Sequence, residues 1–435
     1  MYLRPHQPFV KVKHMRLLFF AVATSFFSCG VSLPAGSSPP PRAGDADTTF
    51  ESPGFVDANR FVPAPMMSGS LHSVGGQAFN NGLQNSYQLT DSGTTRDILG
   101  TPLLLQRIKE IYAIDSLRRL SKTDEFTKAL ARAAGDKVNS VINIAKDPIG
   151  TVKNLPKGAS RFFGSVGEGL KSTQGGNAGN ALEAASGMSK AKAQLAFKLG
   201  VSPYSDNQEL QEQLSNVAWA MAGGGLVLGA AGMIVPGAAG TTLTAVGGNQ
   251  ILQNQLIDTP PSQLRILNRK KLFALGLDRD MADAFLMQTS FTPANATIIV
   301  DALSRIGVNP EAFLNEADAV NCPEDAFYFQ RLAQLLLLYH QTVAPIMSLH
   351  VKDGLVCALD KNGVLVVPVS LDYAIWSERV ANRVYEFSKL VSMSNSKVKS
   401  LTLWTDGQLS QRLCEELSKR NISYQIIEPE RLIVK

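Results

Sequence analysis

"IMSLHVKDGLVCALDKNGVLVVPVS", Ile346 to Ser370, decides the fold of the C-terminal part of the chain. It contains three apolar runs, "IMSLHV", "LVCALD" and "VLVVPVS". Between them stand Lys352-Asp353-Gly354 and Asp360-Lys361-Asn362-Gly363. Asp-Gly and Asn-Gly pairs let a chain reverse tightly, so three hairpin-linked strands are predicted. Just upstream, "EDAFYFQRLAQLLLLYHQTV" repeats apolar residues at helical spacing in Phe329, Leu332, Leu335 and Leu336. Downstream, Ile375, Val380, Val384 and Phe387 mark a helix. "VKSLTLWT" then reads as a strand, "GQLSQRLCEELSKRN" as a helix and "SYQIIE" as a last strand. The order αβββαβαβ predicts a small α/β domain with a mixed sheet over 343–435.

That order resembles the core of restriction-endonuclease-like folds. The strand, Thr405-Asp406-Gly407, helix and strand at its end resemble their C-terminal half. The resemblance implies a hydrolase that needs an Asp near the second strand and an (Asp/Glu)-x-Lys on the third, to hold Mg²⁺ and activate water. Asp360 stands where the first acid belongs, but "VLVVPVS" supplies neither the second acid nor the lysine. A hydrolase built here would rest on Asp360, Asp372 or Asp406. Other catalytic signatures are missing as well: the chain has no G-x-S-x-G and no H-E-x-x-H. In "GSVGEGLKS", Leu170 separates Gly169 from Lys171, which spoils a phosphate-binding loop. Cys29, Cys322, Cys357 and Cys414 form no C-x-x-C and no zinc spacing with the histidines. Cys357 and Cys414 either pair in an oxidising compartment or stand as buried thiols. His340 and His350 flank the first strand without a ligand pattern. A non-enzymatic chain with no metal or cofactor is the expectation, with a C-terminal domain that binds a protein partner.

At the other end, "KVKHMRLLFFAVATSFFSCG" has Lys11, Lys13 and Arg16 before an apolar run from Leu17 to Phe27. These are the basic and apolar regions of an export signal, and the run is too short to span a bilayer. Ser28 before Cys29 resembles a bacterial lipoprotein signal, which implies lipidation of Cys29; ordinary cleavage after Ser32 is the alternative. The signal is assigned to 1–29. Pro39, Pro40 and Pro41 amid Ser, Gly and Asp cannot build a core, and apolar density stays low to Gly100. Residues 30–100 are therefore expected to be a disordered tether.

Between these ends the chain is expected to be mainly α. Residues 101–200 form a basic helical region, with sixteen Lys and Arg against eight Asp and Glu. Within it, Lys153, Lys157 and Arg161 alternate with Val152, Phe162 and Phe163. Such a segment either lies on an anionic membrane or packs on a soluble core with its lysines outside. Membrane lipid is the expected anionic partner, and nucleic acid is not. In 201–258, the nineteen residues from Val217 to Val235 carry no charge. Ala218, Ala222, Gly225, Gly229 and Gly232 follow one helical stripe, and Pro236-Gly237 supplies a turn. This resembles the glycine-zipper hairpins of some bacterial envelope proteins, which implies two smooth helical faces in contact. Lipid, a protein core and a self-association surface are all compatible with it, and a pore-forming chain is allowed. Residues 259–342 read as short helices, with Asp280 as an N-cap. The sum is an exported, membrane-associated protein of the cell envelope.

Overall fold

The computed structural model describes residues 50–134, 178–226, 250–392, 397–428 and 432. The signal at 1–29 with Cys29, the basic residues Lys153, Lys157 and Arg161, and the stripe residues Gly229 and Gly232 lie outside the described residues. The chain is a mixed α/β protein. It begins with β1 (Gly54–Asp57), α1 (Ala64–Met67), β2 (His72–Val74), β3 (Gln77–Asn80), β4 (Asn85–Asp91) and β5 (Thr94–Leu99). Helices α2 (Thr101–Leu120), α3 (Asp124–Ala134), α4 (Ala178–Leu199) and α5 (Gln208–Gly224) follow. Next come α6 (Gln250–Asp258), α7 (Pro261–Ala274), α8 (Arg279–Met287), α9 (Pro293–Ile306), α10 (Glu311–Ala317) and α11 (Pro323–Thr342). The last part is β6 (Ile346–Lys352), β7 (Leu355–Asp360), β8 (Val364–Val369), β9 (Tyr373–Ala374), α12 (Glu378–Ser392), β10 (Ser400–Thr405), β11 (Gln408–Leu409), α13 (Gln411–Lys419) and β12 (Ser423–Ile426).

Residues 50–100 are not a tether. β1, β3, β4 and β2 form an antiparallel sheet in that order, with β5 paired to β4. Only alternate residues of such a sheet need to be apolar. Val74, Ala78, Tyr87 and Leu89 turn inward, and the polar residues between them account for the low apolar density. These side chains pack with Leu104 and Ile108 of α2, Phe126 of α3, Leu195 of α4 and Leu210 of α5 into one core. A buried carboxylate ties the α4–α5 loop to α2. Glu110 accepts from Ser205 Oγ at 2.5 Å, Asn207 Nδ2 at 3.1 Å and Arg107 Nη1 at 2.9 Å.

The continuous helix expected from Val217 to Val235 is also corrected. α5 stops at Gly224, and Gly225 takes a left-handed conformation (φ 65°) while its N–H bonds to the Ala220 carbonyl. Three successive glycines each cost the helix about 1 kcal/mol against alanine, and the last adopts the left-handed cap without strain. Val217, Ala218 and Ala220 are buried, and Val217 and Ala220 belong to the core beneath the N-terminal sheet. The first part of the apolar stretch is thus protein core. Among the described residues, no helix is long and apolar enough to cross a membrane.

The C-terminal sheet runs β12-β10-β8-β7-β6. β6, β7 and β8 are antiparallel neighbours, while β10 pairs parallel with both β8 and β12. The αβββαβαβ order is present, with the two-stranded β9–β11 pair as an addition. Alternation sends Val356, Ala358, Val366 and Trp404 to a core shared with α11. It sends Cys357, Leu365, Val367 and Leu401 to the opposite core, with Phe387 of α12 and Leu413 of α13. In the helical middle, the N-cap of α8 is Asp278, whose side chain accepts from the Met281 N–H at 2.8 Å. Asp280 sits in the first turn, where its charge complements the helix dipole.

Candidate functional site

β8 and β10 lie side by side and parallel, from Val364 against Ser400 to Val369 against Thr405. Both leave the sheet at the same end, one as Ser370-Leu371-Asp372 and the other as Asp406-Gly407. The carboxyl ends of parallel strands are where open α/β sheets gather ligand-binding groups. The Asp406 side chain is 4% exposed there. Ser370 Oγ donates to it at 3.0 Å and the Leu371 N–H at 3.2 Å, and Arg331 Nε stands 3.8 Å away as an ion pair. Burial pushes the Asp406 carboxyl up, and Arg331 and these donors oppose that push. The Arg331 guanidinium in turn lies over the Phe327 ring, 5.0 Å from its centre.

Asp372 joins the two ends of the chain. Its Oδ2 accepts from the Asn85 N–H at 2.8 Å and its Oδ1 from the Thr101 N–H at 2.9 Å. Thr101 is the first residue of α2, so a carboxylate from the C-terminal part caps a helix of the N-terminal part. Burial pushes the Asp372 carboxyl up to about 6, against the pull of these hydrogen bonds. The turn between β3 and β4 docks beside it. The Leu83 carbonyl accepts from the Asp372 N–H at 3.0 Å and the Tyr373 N–H at 3.1 Å, and the Gly82 carbonyl from the Ile375 N–H at 3.1 Å. Glu51 completes the clamp by accepting from the Trp376 N–H and from Ser410 Oγ, each at 2.6 Å.

Docking of that turn closes one side of an apolar cavity of about 210 Å³. Its wall includes Leu83 from the turn, Val367 and Val369 from β8, Val384 and Phe387 from α12, and Leu417 from α13. A second cavity, about 450 Å³, shares Gln84, Tyr328, Ser370 and Leu371 with the first and opens toward Asn295, Gln330 and Asp372. Four ionisable groups on the first cavity stand out. Asp325, on the first turn of α11, is 9% exposed, and its Oδ1 has no hydrogen-bond partner. Burial pushes its carboxyl up to about 6, the charge of Glu324 acts in the same direction, and a hydrogen bond from Cys322 opposes both. Glu316, at the end of α10, is raised by burial alone. On α12, which also lines the cavity, burial and the neighbouring charge of Arg383 lower Arg379. Arg383 donates to the Asp353 carbonyl at 2.7 Å.

The acids considered from sequence are engaged in structure. Asp360 accepts from Tyr339 Oη at 3.0 Å and from the Asn362 and Val364 N–H groups, each at 2.8 Å, so it orders the β7–β8 turn. Because β7 and β8 are antiparallel, it lies at the opposite end of the sheet from Asp372 and Asp406. His340 Nδ1 accepts from the Ile346 N–H at 3.1 Å, and His350 pairs with Ser348 Oγ at 2.7 Å. His72, expected in the tether, is buried between Tyr112 Oη at 3.1 Å and the Met66 carbonyl at 3.0 Å. Cys322, Cys357 and Cys414 are free thiols. Among the described residues, no three His, Cys, Asp or Glu side chains are grouped to hold a metal ion. Sequence reading passed over Asp325, Glu316, Arg379 and Arg383. Arg379 and Arg383, like charges one turn apart on an amphipathic helix, were the one available signal. No protein-family model matches this sequence, and comparison with curated proteins and with solved structures gives no match.

Proposed function

We propose that the chain is an exported, membrane-associated envelope protein without catalytic activity, whose C-terminal unit binds a small apolar molecule. The cavity of about 210 Å³ carries this reading. It exceeds the roughly 150 Å³ that suffices to hold benzene in an engineered core. Its lining is mainly apolar with a minority of polar side chains, Asp325 and Ser370 among them, the usual form of a small-molecule site. The engagement of Asp360, Asp372 and Asp406 in structural hydrogen bonds favours binding over hydrolysis. A neutral, environment-sensitive dye such as N-phenyl-1-naphthylamine is expected to give a saturable fluorescence rise with the purified chain. Val384→Trp, which puts an indole on the cavity wall and obstructs it, is expected to remove that rise while the protein still melts cooperatively. A signal that never saturates, or one that Val384→Trp leaves intact, would refute the cavity as the site.

The location half of the proposal rests on the basic and apolar run before Cys29. Lipidation adds membrane affinity through its buried chains. Fractionation of cells making the Cys29→Ala chain is expected to move the protein from the membrane toward the soluble fraction. An unchanged distribution together with unchanged electrophoretic mobility would exclude a lipid anchor on Cys29.

A further inference from the structure

We infer that the molecule held in this cavity is an apolar body carrying one hydrogen-bond donor, a protonated amine or a hydroxyl, and that Asp325 receives that donor. The inference rests on the cavity reading above and adds the chemistry of the ligand. Asp325 lies on the cavity wall and is nine-tenths buried; its Oδ1 is unpartnered and has no accessible surface, so a donor in the cavity reaches the carboxylate only by turning that group toward it. A buried acceptor left without a donor is costly, so native proteins rarely keep one without a use. The helix does not account for it. Glu324, one residue earlier, already places an acid in the first turn of α11. Cys322, the N-cap residue, makes no side-chain cap hydrogen bond, and its bond to Asp325 leaves Oδ1 unpartnered.

The charges of the cavity also assign an orientation. Glu316 and Asp325 belong to α10 and α11, on one wall. Arg379 and Arg383 belong to α12, on another. A donor-bearing or cationic end is therefore drawn to the α10–α11 wall and repelled from α12. The hydrocarbon part is left against Val367, Val384 and Phe387. A site with a fixed acceptor rejects an analogue that lacks the donor, because its own polar atom then stays unpaired.

Three probes of matched chain length test this: octylamine, 1-octanol and octyl methyl ether, each titrated as displacement of the neutral dye. With the native chain, the amine and the alcohol are expected to bind about tenfold more tightly than the ether, the value of one well-made hydrogen bond. Asp325→Leu is expected to erase that preference and to leave ether binding within about twofold of native. Asp325→Asn keeps an acceptor without the charge, so it is expected to keep the alcohol preference and lose about fivefold or more for the amine. Equal binding of all three probes to the native chain would overturn the inference. So would a preference that survives in Asp325→Leu, or, if that variant does not fold, an amine affinity unmoved in the near-isosteric Asp325→Asn. Failure of the dye and of all three probes to bind would instead remove the cavity reading on which the inference stands.

Discussion

Asp372→Ala is expected to lower the stability of the chain by about 3 kcal/mol at pH 7.5, because it orphans one buried and one part-buried backbone donor at roughly 1–3 kcal/mol each. Those donors are the N–H groups of Asn85 and Thr101, and both belong to the N-terminal unit. The loss should therefore first loosen the seam between the N-terminal sheet and the β8–β9 segment. Hydrogen exchange should show protection falling at residues 81–85 and 101–104 before it falls in α11. The effect also has a pH signature. Burial raises the folded-state carboxyl to about 6, above its ordinary value of 3.8. A carboxyl raised on folding contributes stability that is complete below about 3.8 and is lost as pH rises through about 6. The deficit of Asp372→Ala against the native chain should accordingly be larger at pH 5 than at pH 7.5. Denaturant titrations at the two pH values measure it. A deficit that shrinks toward acid would mean that the carboxyl is held below its ordinary value and that the N–H donors outweigh burial.

The C-terminal fold was legible because its signals are local. Two Asp/Asn-Gly turns and three β-rich runs fix β6 to β8, and helical periodicity fixes α11 and α12. The first sheet was missed for the opposite reason. β1 to β3 are short, the sheet's inward residues include Asn80 and Asn85, and its pairing is visible only once α2 covers it. The run of Gly223, Gly224 and Gly225 was legible as composition but not as geometry. The same glycines that make a smooth helical face also make a left-handed stop, and only the surrounding core decides between the two. The candidate site was least legible. It joins Leu83, Asp325 and Val384, far apart in sequence, and no spacing rule links them. Asp372 and Asp406 were noticed as acids, yet their role is to bind backbone N–H groups from other segments, which no motif records.

Gly407→Ala is expected to be more damaging than its single methyl group suggests. Gly407 follows Asp406 at the end of β10, and a Cβ there would press into the backbone carbonyl of Leu371 and into its Cδ1, well inside van der Waals contact. The obstacle is mainly main chain, so no rotamer change relieves it. The Leu371 N–H is meanwhile bound to Asp406 and the Asp372 carboxylate to the N-terminal unit, so the segment has little room to retreat. Relief requires the ends of β8 and β10 to separate. That would break the bonds from Ser370 and Leu371 to Asp406 and move the wall shared by the two cavities. Overpacking in a core typically costs 1–3 kcal/mol, and a backbone obstacle belongs at or above the upper end, so a loss of about 3 kcal/mol or more is expected. Gly93→Ala serves as the control. That position has positive φ (80°) but nothing within 4 Å of an added Cβ, so only backbone strain of about 1 kcal/mol is expected. If the two substitutions cost the same, close approach at Gly407 is not what holds β8 and β10 together. If Gly407→Ala alone also abolishes dye binding, the contact between Gly407 and Leu371 is what sets the shape of the cavity.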